Sequence, residues 1–171
     1  MTTAVLSIGS NLGDRLANLR LAVDGLGGVD GDGIELLAVS SVYATAPWGV
    51  VDQDDFYNAV LIARADRSPR QWLELALLLE KRAGRVRERR WGPRTLDVDV
   101  ITVDDVECAD DRELILPHPR AHQRAFVLLP WLEIEPDAVL PGRGPIAELA
   151  AALPADELAG VRRMRRLELT P

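Results

Sequence analysis

A strand, a helix, two strands, a second helix and a further strand follow one another along this chain. That βαββαβ order predicts an α+β fold with a ferredoxin-like core. Three observations carry the expectation: short apolar runs alternate with stretches of helical spacing, one helix is bracketed by strong start and stop signals, and the length fits. With 171 residues, 47% hydrophobic and 27% charged, the chain suits a single domain, 1–171, with room for a layered core.

The elements justify themselves in order. Residues 4–8, AVLSI, read as a short buried strand. Leu12, Leu16, Leu19, Val23 and Leu26 then recur at helical spacing, with Ser10 or Asn11 as N-cap and Gly27-Gly28 as stop. IELLAVSSVYAT, 34–45, reads as one long strand with a bend, and FYNAVLIARA, 56–65, as its successor; APWGVVDQDD between them is loop. The second helix, about 68–83, has Ser68 as N-cap, Pro69 at the first helical position and Gln71 completing a capping box. Trp72, Leu75, Ala76, Leu79 and Ala83 form its buried stripe, and Gly84 ends it. A strand over about 97–103, a turn at Asp104-Asp105, a helix near 121–134 and a short helix at 145–153 complete the core. The basic tail VRRMRRLEL reads as a solvated face.

Composition removes several function classes. The longest apolar runs are too short to cross a bilayer, and MTTAVLSIGS lacks the layout of a secretory signal, so a cytoplasmic protein with no membrane partner is expected. Cys108 is the only cysteine and can neither staple the fold nor build a thiolate metal cage. A net charge of −7 argues against nucleic acid as the main partner. The charge is unevenly spread, because Lys81, Arg82, Arg85, Arg87, Arg89, Arg90 and Arg94 are opposed in their segment only by Glu88.

That basic run leads into RWGPRTLDVDVI, 90–101, where the chemistry concentrates. Residues two apart on a strand share a face, so Asp97 and Asp99 point with Ile101 and Val103, and Val98 and Val100 pack behind. Their Cα atoms should lie about 6.5–7 Å apart. Carboxylates so close repel one another, and either arginines or divalent metal must hold them. With no histidine cage the pair favours Mg2+, which shares its coordination with water and substrate phosphate. Arginines beside them then suit phosphate oxygens. No P-loop and no GxGxxG is present.

These residues resemble a known family. GRVRERRWGPRTLDVDVI and LPHPRAHQRAFVLLP, with SIGSNLGDR, SSVYATAPWG and FYNAVL in the same order, are similar to the hydroxymethyl-dihydropterin pyrophosphokinases of folate biosynthesis, over about residues 4–140. The resemblance implies a mainly antiparallel sheet with helices on both faces, a three-layer α/β/α arrangement. It implies transfer of pyrophosphate from ATP to 6-hydroxymethyl-7,8-dihydropterin, with AMP released and two Mg2+ ions used. By the matched positions, Asp97 and Asp99 would hold the metals, and Arg85 and Arg94 would stabilise the phosphates in transfer. Glu80, Arg90, Trp91, Arg94, His118 and Arg124 would contact ATP. Phe56 and Phe126 would sandwich the pterin, with Asn58, Asp97 and the Thr45, Ala46 and Trp48 segment reading its edge. A monomer acting on these two small molecules is expected. The sequence departs from the family pattern at Trp48, Glu113 and Pro119. Two other readings stay open: another Mg2+-dependent phosphoryl or nucleotidyl transferase on this fold, and an RNA-binding module built on the basic segment.

Overall fold

A computed structural model describes residues 1–27, 33–46, 54–84, 95–109 and 112–169. Strand β1 (Thr2–Ser10) is followed by α1 (Arg15–Gly27), β2 (Glu35–Val39), β3 (Val42–Thr45), β4 (Phe56–Ala65), α2 (Pro69–Arg82), β5 (Asp97–Val103) and α3 (Ala125–Ile134). A small hairpin, β6 (Val139–Leu140) and β7 (Gly144–Pro145), precedes α4 (Ile146–Ala151), α5 (Ala155–Ala159) and β8 (Val161–Met164). The main sheet runs β5-β1-β4-β3-β8, with β2 also paired to β4, and every pairing is antiparallel. This is the βαββαβ core, with β2 and β3 together in the place of one strand. Among the described residues no helix is long and apolar enough to cross a membrane.

Two apolar clusters sandwich the sheet. On one face α1 and α2 pack Leu19, Leu26, Trp72 and Leu79 against Leu6, Ile8, Leu61 and Val98. On the other, α3 sets Val127, Leu128 and Trp131 against Val5, Val60, Ile62 and Ile101. Gly25 marks the close approach of the first two helices, since a Cβ there would stand 2.5 Å from a Leu79 methyl. Helix α2 keeps its sequence signals: the Ser68 hydroxyl accepts from the Gln71 N–H, Gln71 returns a bond to the Ser68 N–H, and Gly84 follows at φ +73°.

Four expectations need correction. The long strand over 34–45 is two strands, because the Ser40 hydroxyl accepts the Val60 N–H at 2.9 Å in place of a backbone carbonyl and breaks the ladder. Helix α1 is capped by Asp14, whose carboxylate accepts the Ala17 N–H; Ser10 still belongs to β1, and Leu12 is exposed. The helix near 121–134 is interrupted at Arg124, whose extended backbone separates a single 3-10 turn at Ala121–Gln123 from α3. Finally, Val103 joins Val98 and Val100 in the cluster under α1 and α2, whereas Ile101 lies in the other. The register between β1 and β5 shifts between Val5 and Leu6, and the extra residue in β5 flips the alternation beyond it.

Candidate functional site

Alternation along β5 still controls the two carboxylates, which precede that shift. Val98 and Val100 are buried beneath α1 and α2, so Asp97 and Asp99 face the α3 side. They lie opposite Gly9 and Ser7 of β1, and those residues pair in turn with Asn58 and Val60 of β4. Since β5 is the sheet edge, its outward N–H groups need partners from elsewhere. Glu80, 4% exposed, supplies one: its carboxylate accepts the Val98 N–H at 3.1 Å, between the two aspartates in sequence. The last turn of α2 disfavours an anion there, and Lys81 and Arg82 in the same turn offset the charge. Glu80 therefore braces the strand that presents the acid pair.

The cations at this face come from the segment leading into α3. The Arg124 guanidinium stands 3.6 Å from the Asp99 carboxylate and lies over the Phe126 ring at 5.3 Å from its centroid. Burial lowers the pKa of Arg124 and Asp99 opposes that shift; a guanidinium stays charged regardless. The His118 N–H donates to the Ile101 carbonyl at 2.8 Å, tying the Pro-rich connection to β5. Burial, then the charges of Arg124 and Arg120, push His118 down to about 4, so the imidazole is neutral. Its Nδ1 accepts the Arg120 N–H at 3.2 Å, which leaves the proton on Nε2, 4.0 Å from Asp99. A neutral N–H donor is thus aimed at the carboxylate, and no ion pair forms between them.

On the same face, nearer β3, lies a buried amide. Asn58 is 4% exposed and donates from Nδ2 to the Thr45 hydroxyl at 2.9 Å. Phe56 pairs in register with Thr45 and is half-buried, as is Phe126 at the start of α3. Ala46 follows directly and is exposed. Gly9, a further residue of this face, sits between the acid pair and this amide. A Cβ on it would stand 2.9 Å from the Asn58 Oδ1 and 3.8 Å from the Phe56 ring. The available signal was a glycine inside an apolar strand, which marks a close approach. Arg120, in the PHPR motif with His118, adds a further cation here, its charge helping to lower the His118 pKa.

Of the residues expected to act, Asp97, Asp99, His118, Arg124, Phe56, Phe126, Asn58, Thr45 and Ala46 belong to this side of the sheet or its rim. Glu80 reaches the edge of β5 from the α2 side. Trp48, Arg85, Arg90, Trp91 and Arg94 lie outside the described residues. Among the described residues no third histidine, cysteine or carboxylate joins the aspartates in a metal-binding cluster. Two carboxylates with water and phosphate completing the shell is the donor set that Mg2+ takes.

Comparison with known proteins gives a consistent result. The family model described as 7,8-dihydro-6-hydroxymethylpterin-pyrophosphokinase matches residues 5–136. The 2-amino-4-hydroxy-6-hydroxymethyldihydropteridine pyrophosphokinase of Mycobacterium tuberculosis is 48% identical over 169 residues, covering 91% of this chain and 87% of that protein. Its namesake in Mycobacterium leprae is 49% identical over 177 residues, covering 95% and 88%. That of Methylorubrum extorquens is 46% identical over 142 residues, covering 83% and 88%. Among solved structures, a Plasmodium falciparum HPPK-DHPS triple mutant with pteroate superposes with a TM-score of 0.64 at 12% identity, covering 95% of this chain. This chain spans 46% of that one, and the likeness is one of fold.

Proposed function

This chain belongs to the 7,8-dihydro-6-hydroxymethylpterin-pyrophosphokinase family, and we propose that the α3 face of its sheet is where the family reaction takes place. The enzyme transfers pyrophosphate from ATP to 6-hydroxymethyl-7,8-dihydropterin in folate biosynthesis, giving the pterin diphosphate and AMP. The pterin hydroxyl oxygen forms a bond to the β-phosphorus, the bond from that phosphorus to the oxygen bridging it to the α-phosphorus breaks, and AMP leaves. The hydroxyl proton passes to solvent.

The observation that carries the site reading is the order of side chains across one face. Hard carboxylates on β5 have phosphate-suited donors, His118 and Arg124, on one side, and a buried amide, Asn58, beside the half-buried Phe56 on the other. The family uses Mg2+ with ATP; here Asp97 and Asp99 would hold two such ions, which when bound would neutralise the polyphosphate and make its β-phosphorus more electrophilic. Arg124 and the Nε2–H of His118 bind the nucleotide's oxygens. Arg85 and Arg94 stabilise the group in transfer, with Arg90 and Trp91 on the nucleotide; Glu80, expected there too, is buried on the α2 side and instead braces the strand that carries the acid pair. Asn58 offers donor and acceptor to the pterin edge, beside Thr45, Ala46 and Trp48. Phe56 and Phe126 hold the ring between them. Orientation rather than a dedicated base supplies much of the rate. Residues 1–171 act as one catalytic domain, a reading supported by β8 joining the same sheet as β1, and we propose that it works in the cytoplasm as a monomer.

The test is to supply the hydroxymethyl-dihydropterin with Mg-ATP and measure pterin-dependent AMP release. Release of ADP instead would favour another phosphoryl transferase on this fold.

A further inference from the structure

The last part of the chain lies outside the matched 5–136, and its basic end, VRRMRRLEL, reads from sequence as a solvated face; it approaches the candidate pterin site from two directions. Helix α3 begins without a side-chain cap of its own, because Arg124 at its N-cap makes no capping bond. The N–H groups of a first helical turn have no partner within the helix. Glu157 of α5 provides one, accepting the Ala125 N–H at 3.1 Å, and its charge also favours the helix N-terminus. Ala125 lies between Arg124 and Phe126.

Five positions on, the same segment reaches the opposite wall. Arg162 stands 3.4 Å from the carboxylate of Asp55, the residue before Phe56, while Arg15 donates to the Asp55 carbonyl at 2.9 Å. Strand β8 pairs with β3 so that Val161 lies opposite Thr45. Arg163 approaches Glu133 of α3 at 3.5 Å and donates to the Ser41 hydroxyl at 3.1 Å; the Tyr43 hydroxyl donates to the same Glu133 carboxylate at 2.8 Å. The far end of α3 is thereby fastened to β3 and β8, as its near end is fastened to α5.

We propose that residues 157–163 form a clasp that fixes the separation of the two phenylalanines, with Glu157 as the positioning residue for Phe126. The proposal rests on the pterin reading of Phe56 and Phe126. Of the two bonds at the phenylalanines, that of Glu157 matters more. Both members of the Arg162 pair are well exposed, and such pairs contribute little. Loss of the Glu157 bond should act on the pterin rather than the nucleotide. Arg124 feels the Glu157 charge but feels that of Asp99 more strongly and keeps that anchor when Glu157 is removed, whereas Phe126 gains its position from the first turn of the helix.

The experiment compares wild type, Glu157→Ala and Glu157→Gln by pterin-dependent AMP release, with KM for each substrate and the melting temperature. Glu157→Ala should raise the pterin KM about five- to tenfold, with the ATP KM and kcat within about twofold. Glu157→Gln, which keeps an acceptor oxygen, should restore the pterin KM to near wild type. A pterin KM that does not move in Glu157→Ala overturns the proposal. So does an equal rise in both KM values, or a Gln variant no better than Ala. Inactive wild type would instead sink the catalytic reading and the clasp with it.

Discussion

The two faces of this sheet are made by alternate residues of the same strands, yet they obey different rules. On the α1 and α2 face β1, β4 and β5 present Leu6, Ile8, Leu61, Val98 and Val100, all buried in one apolar cluster. On the α3 face the same strands present Ser7 and Gly9, Asn58, Asp97 and Asp99 at one end, and only their other end is apolar. The comparison teaches that a strand can hold its fold with one set of side chains and do chemistry with the next. The two tasks meet at Glu80, a carboxylate from the apolar side that bonds the backbone between the aspartates.

If the division is real, substitutions on the two faces should fail in different ways. The largest effect belongs to the acid pair: Asp97→Asn or Asp99→Asn should cut turnover by on the order of a thousandfold. The melting temperature, read by circular dichroism, should hold or rise in Asp97→Asn, because a repulsion is relieved, and fall in Asp99→Asn, which also loses the ion pair with Arg124. The converse variant is Trp72→Ala, which empties a fully buried site far from the acid pair and loses the bond from its Nε1 to the Thr2 hydroxyl. It should cost about 3–5 kcal/mol in urea unfolding, while kcat of the folded fraction stays at wild type.

Acid provides a third contrast. His118 is held at about 4, below the usual histidine range, so the unfolded chain takes up its proton first as pH falls. Its contribution is complete above about pH 6.5 and is lost as pH drops toward about 4, on the order of 2 kcal/mol. In protein free of metal and nucleotide, His118→Gln should flatten that part of the stability profile; an unchanged profile would break the assignment. The smallest effect is at Gly9, where an alanine Cβ would press on Asn58. Gly9→Ala should raise the pterin KM about tenfold and leave the ATP KM in place.

What was legible in the sequence was what is decided locally. The capping box at Ser68 and Gln71, the bounds of β4 and β5, and the shared face of Asp97 and Asp99 follow from neighbours a few residues away. What was not legible depends on distant partners. Ser40 breaks a strand only because Val60 lies opposite it, and Val103 changes face because of a register shift against β1. Arg162 and Arg163 looked like solvated charge because Asp55 and Glu133 are remote in sequence. In the site, Asp97 and Asp99 are readable by type and spacing and the other motif residues through the family resemblance, whereas Glu157 acts through a contact that no local pattern announces.

On the proposed reading, Asp97 and Asp99 bind magnesium together with the nucleotide at the α3 face. The direct measurement uses Mn2+ in place of Mg2+, with a nonhydrolysable ATP analogue, and reads bound metal by electron paramagnetic resonance. Metal retained by wild type and by Trp72→Ala, and lost in Asp97→Asn and Asp99→Asn, is the predicted result. Equal metal binding in all four proteins would contradict it.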